Sequence, residues 1–174
     1  LLDDLPLQGQ FAIIIRGATW ESKLWEMERF ASVARHLGER RGLKSLVVWC
    51  SKQELYYATQ IVSAADGYAV LAPRTSLKEL VAVLRRGTIF ISSDTGPLHM
   101  AVAVGTPSIG LYGATRPADC GPYGAPHVGI QMQYESGSRT ERRKADNSAM
   151  REITVEHVCC ECDRVLDASL GAVA

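Results

Sequence analysis

Thr88-Ile89-Phe90-Ile91-Ser92 runs directly into Ser93-Asp94-Thr95-Gly96-Pro97-Leu98-His99-Met100-Ala101, and this passage decides the class of fold. Its first five residues form a short apolar, β-branched run, the pattern of a buried strand. The residues that follow have the marks of a helix start. Pro97 suits the first helical position, where a missing N–H costs nothing, and Gly96 lets a ligand approach the backbone closely. A strand handing over to a helix within a few residues is one unit of a strand–helix alternation.

The rest of the chain repeats that unit. Upstream, residues 11–15 (FAIII) and 45–50 read as strands, with helices over 24–41, stopped by Gly42, and over about 52–65. A short strand at 68–71 precedes Ser76-Leu77-Lys78-Glu79, a Ser-x-x-Glu capping box that opens a helix ending near Arg86-Gly87. Downstream come a short helix over 97–104, a strand at 107–112, another at 127–131 and a final helix over 154–170. Residues 133–150 are polar and charged and read as a surface loop or insertion. Residues 1–10, with Pro6, Gly9 and no clear period, read as a linker or lead-in segment, so one domain is expected over 11–174. Alternation of this kind predicts an α/β fold, a Rossmann-like parallel sheet with helices on both faces. Such sheets bind ligands outside the carboxyl ends of their strands, so function is to be sought just after each strand.

Composition narrows the classes. The 174 residues are 47% apolar and 22% charged, ordinary for a globular domain. Lys+Arg and Asp+Glu are 19 each, so the basic excess of a nucleic-acid binder is missing and no nucleic-acid partner is expected. An anionic ligand must then be held by local groups. The five cysteines, Cys50, Cys120, Cys159, Cys160 and Cys162, are odd in number and crowded near the C-terminus, which fits reduced cytoplasmic thiols better than a disulfide framework. Cys159-Cys160-Glu161-Cys162 has the shape of half a zinc site, but no second pair exists and only His157 is near, so no metal is expected. No apolar run approaches the ~20 residues of a spanning helix.

The turn after the 88–92 strand carries the chemistry. A helix N-terminus offers free N–H groups and partial positive charge, which suits a phosphate. Thr95 adds a hydroxyl donor and His99 sits in the first turn. Asp94 would repel a diphosphate placed against it, so it is expected to fix the turn through backbone N–H groups or to meet sugar hydroxyls.

The passage continues as Val104-Gly105-Thr106-Pro107-Ser108-Ile109-Gly110-Leu111-Tyr112-Gly113-Ala114-Thr115-Arg116-Pro117, then Gly121-Pro122-Tyr123-Gly124. This resembles the C-terminal, donor-binding domain of the heptosyltransferases, family 9 glycosyltransferases that carry heptose from ADP-heptose to the lipopolysaccharide inner core. Three more segments match in order: Gly17-Ala18-Thr19 with Lys23-Leu24-Trp25, Glu54 after the second strand, and Thr75-Ser76-Leu77-Lys78-Glu79-Leu80. The resemblance covers about residues 11–124.

The resemblance implies a two-domain GT-B enzyme, of which this chain supplies the donor half and lacks the N-terminal acceptor domain. It implies an ADP-sugar site built by Thr19, Lys23, Glu54, Asp94, Thr95, Gly96, Pro97 and His99. In it Lys23 places charge on the diphosphate, Thr19 bonds a phosphate oxygen, Glu54 takes ribose hydroxyls, and Lys23 with His99 stabilises the leaving group. Trp25 is assigned to the core. The sequence has no Asp-x-Asp, in keeping with the family's metal-independent inversion, and no cofactor is implied. The general base and the lipopolysaccharide-core acceptor belong to the missing domain. Arg16 and Cys120 depart from the family pattern, as does SGSRTERRKADNS, which replaces a Cys-rich loop of some members. The basic run from Arg139 to Lys144 is read as solvated, with contact to lipopolysaccharide or to an anionic membrane, at the inner face of the cytoplasmic membrane, as its alternative. Another two-domain sugar-nucleotide enzyme such as an epimerase, or a non-catalytic nucleotide-binding module, is the competing reading.

Overall fold

A computed structural model describes Leu5, Leu7 and residues 9–171. Six strands, β1 (Phe11–Ile15), β2 (Lys44–Val47), β3 (Ala69–Leu71), β4 (Ile89–Ser93), β5 (Ser108–Leu111) and β6 (Val128–Ile130), form one sheet in the order β3-β2-β1-β4-β5-β6. Every pairing is parallel. β1 is central, with Ile14 opposite Val47 on one side and Ile91 on the other. A strand covered on both faces must be apolar throughout, and all five residues of FAIII are buried.

The two-residue period of the strand divides those side chains between two cores. Ala12 and Ile14 pack with Phe30, Val33 and Leu37 of α1 (Met27–Arg41), Ile61 of α2 (Lys52–Ala64) and Val158 and Val165 of α8 (Val155–Gly171). Phe11, Ile13 and Ile15 pack on the opposite face with Leu80, Val83 and Leu84 of α3 (Leu77–Arg86) and Leu98 and Ala101 of α4 (Gly96–Ala103). Helices therefore cover both faces, as the alternation predicts.

Local signals set the boundaries. α1 stops at Gly42, whose φ of 66° is left-handed and suits a residue without Cβ. Ser76 caps α3 in a full capping box with Glu79, and Arg85 and Arg86 complement the dipole of its last turn. Ser51 and Glu54 form a second capping box at the start of α2.

Three expectations need correction. Residues 133–150 are not a plain surface loop. They contain α6 (Arg139–Lys144) and α7 (Ser148–Arg151), follow a short α5 (Pro117–Cys120), and bury Ala149 and Met150 in the core. The reason is a third capping box, Ser138 with Glu141, and an apolar pair too short to show a period. Residues 1–10 are not simply a linker: Leu5 and Leu7 pack against the α3–α4 core, while the remainder up to residue 8 lies outside the described residues. Pro97 occupies the second position of α4, because Gly96 opens the helix.

All five cysteines are free thiols. Cys162 is fully buried in the α1–α8 core, and burial pushes the Cys159 thiol up to about 12. Both act as small apolar side chains. Among the described residues no group of three His, Cys, Asp or Glu side chains is placed to hold a metal, and no helix is long and apolar enough to cross a membrane.

Candidate functional site

From β1 the chain builds β2 and β3 to one side, then returns to lay β4, β5 and β6 on the other. β1 and β4 therefore flank a topological switch point, and their following loops part there and leave a crevice. A cavity of ≈ 1240 Å³ occupies it and extends from the start of α3 to α6. Its floor crosses the ends of five strands, about 19 Å at roughly 4.8 Å per strand, so it is a trough suited to an elongated ligand. Among the described residues four cations line it, Arg16, Lys23, Arg139 and Arg142, against two carboxylates, Glu54 and Asp94. A chain with equal numbers of each charge thus concentrates positive charge in this cavity.

At the centre, the loops after β1, β4 and β5 meet on one carboxylate. Lys23 ends a 3₁₀ turn, Glu21–Lys23, and its Nζ donates to Asp94 Oδ2 at 2.5 Å. Thr115 Oγ1 donates to the same oxygen at 2.7 Å, and the Cys120 thiol lies 3.7 Å from it. His99 Nε2 is 3.5 Å from Asp94 Oδ1. The Asp94 side chain is 8% exposed and Lys23 14%, whereas His99 is 49% exposed and open to a ligand. Burial works against the charged carboxylate, yet the hydrogen bonds from Lys23 and Thr115, with the charges of Lys23 and His99, outweigh it and hold Asp94 below its ordinary value. Burial and the Asp94 charge push the Cys120 thiol up, so it stays protonated.

This corrects one of the two expected roles of Asp94, that of fixing the turn through backbone N–H groups. Its side chain bonds none of the backbone N–H groups of the turn; it is the hub of a side-chain cluster, and the Asp94 N–H itself donates to Leu111 O. Thr95 is the N-cap of α4 but makes no side-chain cap bond, because its hydroxyl pairs with Ser92 Oγ at 3.0 Å. The Thr95 hydroxyl therefore takes no first-turn N–H of α4; Pro97 has none, the Leu98 N–H donates to Thr95 O at 3.1 Å, and the Gly96 N–H is left facing the trough side of the turn. A Cβ on Gly96 would meet no atom within 4 Å, so this glycine keeps cavity clear, not packing.

Toward β2, Glu54 Oε2 accepts the Cys50 and Ser51 N–H groups at 2.7 and 3.0 Å. Its other oxygen lies where a Cβ on Gly17 would come within 2.3 Å, so Gly17 must be small for Glu54 to sit at the trough. Arg16 donates Nε to Trp25 O at 3.0 Å and lays its guanidinium 4.1 Å above Tyr57, with Nη1 buried and unpartnered. Thr19 stands exposed at the rim. Trp25 is fully buried and donates its indole N–H to Ile153 O.

A family model, glycosyltransferase family 9 (heptosyltransferase), matches residues 2–149. The chain belongs to glycosyltransferase family 9. Lipopolysaccharide heptosyltransferase 1 of Pseudomonas aeruginosa is 31% identical over 133 residues, 76% of this chain and 37% of that protein. The chain thus spans about a third of the length of the curated relatives it matches. Two solved structures share the fold: E. coli heptosyltransferase WaaC with ADP, at TM-score 0.74 and 22% identity over 90% of this chain and 44% of that one, and E. coli ADP-heptose lps heptosyltransferase II, at 0.78 and 20% over 92% and 47%.

In this family 9 chain, all eight residues named from sequence, Thr19, Lys23, Glu54, Asp94, Thr95, Gly96, Pro97 and His99, line the one trough. Lys23, Asp94 and His99 form a contacting cluster; Thr19 and Glu54 stand apart from it. Sequence reasoning did not assign Thr115, Arg139, Arg142 or Tyr57 to the site; Arg139 and Arg142 fell in a run read as solvated. Thr115 follows β5 in Tyr112-Gly113-Ala114-Thr115, so its position after a strand was an available signal. Arg139 reaches the trough only because α6 folds back on the 3₁₀ turn, where Ser22 Oγ donates to Arg142 O at 2.6 Å.

Proposed function

We propose that the trough binds an ADP-sugar, heptose or a related sugar, and that residues 11–174 are the donor domain of an inverting GT-B glycosyltransferase acting on the lipopolysaccharide inner core. The observation that carries this is the Lys23–Asp94–His99 cluster at the switch point, beside the α4 N-terminus, in a trough with excess positive charge. Glu54 at one end suits ribose hydroxyls, which donate to a carboxylate. The exposed His99 and the first turn of α4 suit a diphosphate.

In the transfer, the acceptor hydroxyl oxygen bonds to the anomeric carbon and gives up its proton to a base. The bond from that carbon to the diphosphate oxygen breaks, and its electron pair leaves on ADP. Charge therefore builds on the diphosphate, where His99, Lys23 and the Gly96 N–H at the start of α4 provide preorganised stabilisation. Asp94 keeps Lys23 in place and leaves its own lone pairs toward Oδ1 for a sugar hydroxyl. The acceptor and the base are assigned to the other domain of a GT-B pair. We place the protein in the cytoplasm, consistent with five free thiols, and at the inner face of the membrane where such an acceptor is met.

Calorimetric titration with ADP and adenosine is the test. ADP is expected to bind more tightly, and EDTA to leave its binding unchanged. Equal, weak binding of both removes the diphosphate assignment, and loss of binding with EDTA removes the metal-free one.

A further inference from the structure

Arg139 and Arg142 lie three residues apart on α6 and both line the trough, but only one is occupied. Arg142 donates Nη1 to Ala114 O at 2.5 Å and Nε to Gly137 O at 3.2 Å, holding α6 against the loop after β5. Arg139 makes no hydrogen bond or ion pair with any described residue. Its guanidinium lies 6.0 Å from the centroid of the Trp20 ring, and the Lys23 ammonium lies 4.6 Å from the same centroid. Two cations thus share one indole in the trough wall. They stand within about 11 Å of each other, comparable with the Debye length of roughly 8–10 Å, so both act on an anion placed between them.

Their charges are not equally available. Lys23 is held on Asp94, which offsets part of its charge toward an incoming phosphate, whereas Arg139 has no ion pair with any described residue. Arg16, which like Arg142 pairs with no carboxylate but is bonded to a carbonyl, stacks on Tyr57 and is tied to Trp25 O beside Glu54, toward the opposite end. We propose that Arg139 is a donor-specificity residue that holds the sugar-side phosphate of the diphosphate, the group that separates a nucleoside diphosphate from a monophosphate. The proposal rests on the donor-site reading above. A guanidinium presents a planar fork of N–H donors that matches phosphate oxygens, and Arg139 has no existing bond to give up when it turns onto one. His99 and α4 approach the diphosphate from the β4 side and Arg139 from α6, so the anion is gripped across the trough.

Titration of the chain with ADP and with AMP tests this, using Arg139→Gln, Arg139→Lys and, as control, Arg143→Gln. Arg143 lies on the same helix, exposed and outside the trough, so its substitution makes the same charge change without the contact. Arg139→Gln is expected to weaken ADP about tenfold, the loss of one charge-assisted contact, and to leave AMP unchanged. Arg139→Lys recovers part of the loss, and Arg143→Gln matches the parent chain. An unchanged ratio of ADP to AMP affinity in Arg139→Gln overturns the role of Arg139 alone, as does an equal loss in Arg143→Gln. Parent chain that binds ADP no better than adenosine overturns the donor reading and this proposal with it.

Discussion

Asp94 sits where a buried carboxylate is hard to keep charged, and it is kept charged by Lys23 and Thr115 on one oxygen with His99 facing the other. Removing Lys23 therefore does two things: it takes a cation from the diphosphate site and leaves Asp94 uncompensated. Lys23→Ala and His99→Ala are each expected to weaken ADP binding by about 1–3 kcal/mol, with the larger loss for Lys23; titration with unchanged affinity in both would place the site elsewhere. The same geometry fixes a pH dependence. Because the folded-state value of Asp94 is depressed, its contribution to stability is complete above the unfolded value near ~3.9 and is lost as pH falls through the lower folded value. Asp94→Asn is expected to lower the thermal midpoint at neutral pH, and the gap from the parent chain should close in acid, below the ordinary aspartate range. A gap that stays constant down to that range contradicts the pairing. Asp94 and His99 were legible in the sequence because the one follows a strand directly and the other falls in the first turn of the next helix, whereas Lys23, between β1 and α1 in the 3₁₀ turn, was singled out by the resemblance alone. The pairing of Lys23 with Asp94, 71 residues away, was not legible, because it depends on β1 and β4 being neighbours.

Elements whose signal is local were legible: FAIII, whose apolar run is the condition for a central strand, and α3, whose capping box and basic last turn mark both ends. The segment 133–150 was not, since its short helices are stabilised by contacts across the chain. Ser22 Oγ donates to Arg142 O, and Asn147 Nδ2 donates to Leu24 O at 3.0 Å, so the turn that carries Lys23 and the wall that carries Arg139 are laced together over more than 100 residues of sequence. Ser22 is itself 1% exposed, and its substitution leaves the partly buried Arg142 carbonyl without this donor. Ser22→Ala is expected to cost about 1 kcal/mol of stability. Amide exchange should quicken in 20–24 and in 139–144 together, since one link restrains both. Faster exchange in one segment with the other untouched would mean that they are anchored independently.

At the scale of the whole molecule, the trough runs along one set of strand ends and both of its carboxylates are already engaged. Glu54 accepts two backbone N–H groups and Asp94 accepts Lys23 and Thr115. A general base must have a lone pair within reach of the acceptor proton and a value that lets it take that proton, and Asp94, held below the ordinary carboxylate range, is a poor candidate. His99, also at the centre, faces Asp94 Oδ1 at 3.5 Å. Transfer also needs the acceptor hydroxyl fixed against the anomeric carbon, with water excluded, and proximity of that kind can supply several kcal/mol of the barrier. No second wall over the trough is present among the described residues to provide it. The 174-residue chain is therefore expected to bind an ADP-sugar without moving the sugar efficiently to an acceptor. Incubation with ADP-heptose and a lipopolysaccharide-core acceptor, followed by mass analysis of the acceptor, gives the answer. Donor binding with little or no acceptor glycosylation fits a donor domain whose base lies elsewhere. Rapid glycosylation by this chain alone would mean that one of its own groups, with His99 and Asp94 the first to be substituted, acts as the base.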